Sequence, residues 1–151
     1  KYMAIDCANV LAANLVVAPD DKSTLLDKMI AEGKILYIIE SLLPDKKEND
    51  IIKYDDKGWK FCSESEAQIW SYFLNENLLY DTKFEQFKYV KDGPTTYGMP
   101  KESPGRVGAW LGWQIVRAYM KENSNSTLKQ LIEIKDGQKI LTASKYKPKA
   151  N

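Results

Sequence analysis

One glutamate stands out as a residue that could do chemistry. Glu32 follows apolar helical positions in the stretch AEGKILY and is followed at once by Gly33. A carboxylate held beside a hydrophobic core needs a partner. That partner can be a metal ion, because a helical glutamate can complete a tetrahedral zinc site that leaves one position for water. The alternative is an ordinary surface or ion-paired glutamate, and an EG dipeptide alone does not decide between the two.

The chain contains no histidine, which restricts the chemistry that it can perform by itself. It cannot form a Ser-His-Asp or Cys-His nucleophile pair, and it cannot form a histidine-based metal site. Catalysis would need carboxylates, lysine, tyrosine or arginine, or groups from another segment. We therefore expect no catalytic residues, no cofactor and no tight zinc binding in this chain alone. Whether the full-length protein is an enzyme stays open, with a non-enzyme favoured.

A second stretch, KESPGRVGAWLGWQIVRAYMKEN, carries glycines in what looks like one helix. Each glycine inside a helix costs up to ~1 kcal/mol relative to alanine. Gly108 and Gly112 are four residues apart and therefore share one helix face. Together with Gly33 they predict close packing between two helices.

The start of that helix suggests a second possibility, a binding site. Ser103 is predicted as the N-cap and Pro104 as the first helical residue. Backbone N–H groups in a first turn favour an anion, and Arg106 lies beside them. The turn could therefore receive a peptide C-terminus or an acidic side chain.

Aromatic residues follow in the same helix. Trp110, Trp113 and Arg117 recur at three and four residues. This spacing is more typical of helix packing with a stacked arginine than of a ligand groove.

Composition excludes several classes of protein. The formal net charge is +1, with acidic and basic residues interleaved, so a nucleic-acid partner is not expected. No apolar run is long enough to span a membrane. Cys7 and Cys62 could pair or remain buried thiols, and the sequence leaves both open.

The elements that position these residues are predicted to be helices. Apolar residues recur at helical spacing between cap signals, and we find no convincing strand. Residues about 80–102 lack this periodicity and predict one long irregular loop, whose aromatics should pack onto the helices. We expect a single all-α domain, residues 1–151, of five to six helices, predicted at residues 3–15, 24–43, 55–79, 103–122, 128–134 and 136–144.

Four stretches resemble the gliding-motility lipoprotein B (GldB) family of Bacteroidetes-type bacteria. They are LLDKMIAEGKILYIIESLLPD, WKFCSESEAQIWSYFLNENLLYDT, ESPGRVGAWLGWQIVRAYMKEN and ILTASKYKPK. The resemblance covers most of residues 20–149, and the ESPGR block is its most specific part. The chain starts with a lysine inside a helical pattern, so we expect it to be the C-terminal part of a longer protein.

The resemblance implies a distant relation to predicted zinc peptidases of the HExxH type. Glu32 would then occupy a cleft or the third-ligand position, with Arg106, Trp110 and Trp113 at the cleft rim. Zinc would be possible only if an upstream segment supplied the histidines.

The resemblance also implies a function and a location. We expect a non-catalytic envelope protein of the gliding-motility or surface-protein export type, with a degenerate peptidase-like shell. The full-length protein would be lipid-anchored at the periplasmic face, and its partners would be other envelope or export proteins or a peptide. Two alternatives remain: the C-terminal lobe of a zinc metallopeptidase, and a peptide- or glycan-binding module.

Overall fold

Two long helices, α2 (Leu25–Leu42) and α6 (Val107–Glu122), pack against each other at the centre of the computed structural model, which describes residues 1–149. Their backbones approach most closely at two glycines. A Cβ added at Gly33 would lie 2.6 Å from the backbone nitrogen of Trp113, and one added at Gly112 would lie 2.5 Å from the carbonyl carbon of Met29. A side chain at either position would push the helices apart.

Shorter helices surround this central pair. No strand occurs in the described residues, so the all-α prediction is confirmed, but the prediction of five to six helices is wrong because the described residues form nine. The others are α1 (Met3–Leu15), α3 (Glu48–Ile51), α4 (Asp56–Glu64), α5 (Glu66–Asn75), the 3₁₀ helix Phe84–Tyr89, α7 (Leu128–Glu133) and α8 (Gly137–Ser144).

Three local events account for the higher count. The backbone of Ser65 leaves the helical region (φ −117°, ψ 17°) and divides one predicted helix into α4 and α5. The charged stretch after Pro44 forms the single turn α3. The predicted irregular loop contains the 3₁₀ helix. Single turns carry too few residues to show helical periodicity in a sequence.

Helix caps agree with the sequence. The capping box of Thr24 and Asp27 is confirmed, with both of its hydrogen bonds 3.0 Å long. Asp27 also accepts a hydrogen bond of 2.8 Å from the N–H of Gly137, the first residue of α8. One carboxylate therefore stabilises the N-termini of two helices that are far apart in sequence.

Helix α1 packs on α2 through one isoleucine and two alanines. Ile5, Ala8 and Ala12 are buried, while Met3 and Val10 on the opposite side are exposed. α1 is thus apolar on both faces. Within residues 1–149, no helix combines the length and hydropathy that a membrane crossing needs.

Candidate functional site

Three consecutive residues in α2 face three different neighbours. Glu32 lines a large cleft, while Gly33 rests on the backbone of α6. Lys34 is buried and its Nζ donates a hydrogen bond to the carbonyl of Ile134, at the end of α7. Burial lowers the pKa of Lys34 to about 8, although the nearby Asp27 carboxylate opposes this. One helical turn therefore contributes to the cleft, to the α2–α6 contact and to the cap of α7.

The cleft has a volume of about 1230 Å³. It is lined by α2, by the segment from residue 51 to 65, by the chain between residues 87 and 106, and by Ile5 and Asn9 of α1. Its lining mixes apolar side chains such as Leu36 and Phe61 with charged ones. A cleft of this size and composition suits an extended ligand better than a small apolar molecule.

The Glu32 carboxylate lies inside this cleft beside Arg106. Its side chain is 32% exposed, and Oε2 is 3.9 Å from Nη2 of Arg106. Burial raises the pKa of Glu32, the Arg106 guanidinium lowers it, and the Asp92 carboxylate raises it again. The distance of 3.9 Å is too long for a hydrogen bond, so this carboxylate is weakly paired.

Arg106 has an unusual backbone. It immediately precedes α6 with φ 61° and ψ 31°, in the left-handed region that side chains other than glycine rarely adopt. Its side chain is 19% exposed. The guanidinium donates to the carbonyl of Ile52 at 3.4 Å, and its Nε is 3.5 Å from the Asp92 carboxylate. These contacts are all longer than a normal N–H···O bond.

The backbone of the segment before α6 is held by contacts from Gly93, Thr96 and Tyr54. A Cβ added at Gly105 would lie 2.8 Å from the nitrogen of Gly93. Thr96 donates to the carbonyl of Pro104 and accepts from the N–H of Val107, at 2.7 and 3.1 Å. Tyr54 donates to the carbonyl of Gly105 at 2.6 Å. These contacts leave the Arg106 side chain in the cleft.

The predicted start of the late helix is therefore wrong. Ser103 and Pro104 do not begin α6, which starts at Val107, and the Ser103 hydroxyl instead donates to the carbonyl of Pro104. The sequence pattern of serine followed by proline is a good local start signal. Here the tertiary contacts of Thr96 and Tyr54 override it.

Trp110 and Trp113, predicted at the cleft rim, lie elsewhere. They are 2% and 0% exposed in the core, and neither lines the cleft. The Trp113 indole N–H donates to Glu40 at 3.1 Å, and the Arg117 guanidinium lies 4.1 Å above the Trp113 ring. The Trp–Arg stripe is thus a packing feature, as the spacing of these residues indicated, because both indoles face the core.

Gly108 contacts a different neighbour from Gly112. A Cβ added at Gly108 would lie 2.7 Å from the carbonyl oxygen of Tyr89, at the end of the 3₁₀ helix. The glycine face of α6 therefore meets two elements, α2 and the 3₁₀ segment. Tyr89 and Val90 are buried there, which agrees with the expected packing of the loop, whereas Phe84 is 86% exposed and does not.

Metal and thiol chemistry have little support in the described part of the chain. Among residues 1–149, no three or more His, Cys, Asp or Glu side chains are grouped as metal ligands would be. Glu32 is a single carboxylate and does not by itself fit a zinc ion. Cys7 is exposed and Cys62 is buried, and both are free thiols. Burial raises the pKa of Cys62 to about 12, so it remains protonated.

Several residues that line the cleft or hold Arg106 in it were not predicted from the sequence. Tyr54 and Thr96 orient the chain around Arg106, and Asp92 pairs with it. They are separated from Arg106 by up to 52 residues, and only the tertiary fold brings them together. The one local signal was the cluster of glycines and prolines after residue 92, which marked an irregular segment with a positional role.

The comparison with protein families gives one clear match. The model of the family described as "gliding motility protein GldB" matches residues 1–148, which is nearly the whole chain. No curated protein and no solved structure is detectably similar.

Proposed function

We propose, from the premise that this chain belongs to the gliding motility protein GldB family, that it is a non-catalytic envelope component whose cleft binds a segment of another protein. The lipoprotein character of the family implies an envelope location, and its description implies a role related to gliding motility. The periplasmic face, the lipid anchor on an upstream segment and a role in surface-protein export are parts of this proposal. The proposal also includes the descent of the helical shell from a peptidase.

One observation carries the proposal: the cleft with a weakly paired glutamate and arginine side by side. Glu32 presents acceptors and Arg106 presents donors, about 4 Å apart. A peptide group offers the complementary C=O acceptor and N–H donor. Phe87 and Phe61 add apolar lining for the side chains of an extended segment.

Peptide binding to the cleft can be tested by nuclear magnetic resonance. A pool of random octapeptides added to ¹⁵N-labelled protein should shift amide signals of cleft-lining residues such as Tyr54, Gly58 and Gly105. Shifts confined to surfaces away from the cleft, or none at millimolar peptide, would contradict the proposal. An oligosaccharide pool that shifts the same signals without any peptide effect would indicate a glycan-binding module instead.

A matched pair of variants tests the same site in cells. Lys91 is exposed and lines the cleft, whereas Lys129 is exposed on α7 outside it. Lys91→Trp should narrow the cleft and weaken both peptide binding and the restoration of gliding in a strain that lacks its own family member. Lys129→Trp adds the same bulk elsewhere and should leave both unchanged. Equal behaviour of the two variants would contradict a cleft-based function.

A second candidate is the C-terminal lobe of a zinc peptidase. It is favoured by the Glu32 carboxylate, which points to the cleft and has no short hydrogen bond within residues 1–149. Upstream histidines would be needed to complete a site. The full-length protein would then hold about one zinc per chain after dialysis and lose it in the Glu32→Ala variant. Absence of zinc from the full-length protein would remove this candidate.

A further inference from the structure

The two arginines of the chain have opposite environments. Arg117 makes three short contacts, at 2.9 and 2.6 Å to Glu40 and at 2.9 Å to Glu48. Its guanidinium also stacks on Trp113. Within residues 1–149, Arg106 has only the contacts of 3.4, 3.5 and 3.9 Å described above. Arg117 is therefore saturated and structural, whereas Arg106 retains donors that can serve a ligand.

The backbone at Arg106 supports a role in binding. A side chain at φ 61° is strained, and strained residues cluster at ligand-binding positions when the surrounding structure holds them in place. Here Thr96, Tyr54 and the Gly93–Gly105 contact provide that support. The strain places an under-saturated guanidinium in the cleft.

Asp92 shows which kind of group this guanidinium binds. Its side chain is 94% exposed, and its carboxylate is 3.5 Å from Nε of Arg106. An exposed carboxylate at that distance contributes little to stability and is easily displaced. Asp92 therefore stands in for a ligand carboxylate.

We propose that Arg106 is the receptor for a carboxylate of the bound polypeptide, either its C-terminus or an Asp or Glu side chain. This assignment rests on the proposed peptide-binding function. A guanidinium fork matches the two oxygens of a carboxylate, and the incoming group would replace Asp92. Glu32 would remain beside it as the acceptor for a peptide N–H.

Polyanionic ligands fit the same cleft less well. The cationic and anionic side chains that line it are nearly balanced, six against five: Lys53, Lys57, Lys60, Lys91, Lys101 and Arg106 against Glu32, Asp55, Glu64, Asp92 and Glu102. Glu32 also lies next to Arg106 and would repel a dianion such as a phosphate. A single negative charge is the better complement.

Three peptide probes separate the sources of the carboxylate. They are N-acetyl-tetraalanine as the free acid, the same peptide as its C-terminal amide, and the amide with one internal glutamate. The readout is the ¹⁵N shift of the Arg106 Nε–H and of the Gly105 and Val107 amides. Saturable shifts with the free acid indicate a C-terminus, and shifts with the glutamate peptide indicate a side chain. Equal binding of all three probes, with no gain from either carboxylate, would overturn the assignment.

Variants make the test specific. Arg106→Gly removes the guanidinium at a backbone position that glycine accepts, so the protein should still fold. It should weaken binding of the preferred probe about tenfold or more. Lys57→Gln removes one positive charge from the same cleft and should weaken it by less than about threefold. Asp92→Asn should strengthen it, because the competing carboxylate is gone. Equal losses for Arg106→Gly and Lys57→Gln would reduce the effect to general charge and overturn the assignment.

The outcomes also distinguish this inference from the proposed function. Peptides that bind in the cleft equally well with and without any carboxylate, at the C-terminus or in a side chain, would leave the peptide-binding function intact and remove the role of Arg106. If no peptide shifts any cleft residue, both fail.

Discussion

At the scale of single residues, the role of a position in α2 depends on the neighbour that it faces. Glu32, Gly33 and Lys34 are consecutive, yet they serve the cleft, the α2–α6 contact and the end of α7. The sequence indicated the importance of Glu32 and Gly33. It gave no sign of Lys34, because a lysine next to a core usually extends to solvent.

The ionised Glu32 carboxylate should lower the stability of the protein. Its pKa is raised in the folded state, chiefly by burial, so the unfolded chain ionises first as the pH rises. Protonated Glu32 makes a larger contribution to the free energy of unfolding than ionised Glu32. This contribution is complete below the ordinary glutamate pKa of about 4.3 and is lost as the pH rises through the raised pKa of the folded state. Glu32→Gln should therefore raise the urea midpoint at pH 7 but not at pH 4. An equal effect at both pH values would contradict this.

Replacing the strained Arg106 should change the free energy of unfolding only slightly. Arg106→Gly relieves the left-handed backbone but adds freedom to the unfolded chain, and the two effects oppose each other. We expect its free energy of unfolding to stay within about 1 kcal/mol of the parent. Arg117→Gln removes short contacts to Glu40 and Glu48 and should cost about 1–3 kcal/mol. Denaturant titrations of both variants would refute this contrast if Arg106→Gly proved the more damaging.

At the scale of elements, the contact between α2 and α6 depends on two glycines that have no room for a side chain. The sequence indicated this packing through Gly33 and Gly112, whereas Gly108, expected at the same contact, meets the 3₁₀ segment instead. The sequence misplaced the start of α6, because the Ser-Pro start signal is local and the contacts that override it come from Tyr54 and Thr96. The cleft-rim position of the two tryptophans of α6 was implied by the family resemblance alone, whereas their spacing indicated packing.

Gly112→Ala tests the helix contact. Alanine improves helix propensity by up to ~1 kcal/mol, but its Cβ would lie 2.5 Å from the carbonyl carbon of Met29. We expect the steric cost to dominate and the protein to lose about 1–3 kcal/mol. Lys121→Ala on the exposed end of α6 is the control and should stay within about 0.5 kcal/mol. A higher denaturant midpoint for Gly112→Ala would show that the helices are not in contact there.

Asp27 should be the most important cap of the molecule. It stabilises α2 through the capping box and α8 through the N–H of Gly137, whereas Asp136 caps α8 alone. Asp27→Ala should cost about 2 kcal/mol or more, and Asp136→Ala about 1 kcal/mol. Thermal unfolding at pH 7 measures both. A smaller loss for Asp27→Ala would mean that α8 is held by its packing on α6 and not by this cap.

At the scale of the whole molecule, composition and periodicity were enough for the all-α class, and the four family-like stretches, of which the ESPGR block is the most specific, were enough for the family. They were not enough for the cleft. Its walls come from α1, from α2, from residues 51–65 and from residues 87–106, and these segments meet only in the tertiary fold. The expected cleft positions of Glu32 and Arg106 and the long irregular stretch indicated that a site could form, but not which segments would build it.

The central claim is that this cleft, with Arg106 as the carboxylate receptor, carries the function of the protein in gliding. The most direct measurement is colony spreading of a strain that lacks its own family member, complemented with the full-length protein carrying Arg106→Gly or Lys57→Gln. Immunoblots establish that both variants reach parental levels. We predict that Lys57→Gln restores spreading and that Arg106→Gly does not. Full spreading with Arg106→Gly at normal protein level would contradict the claim.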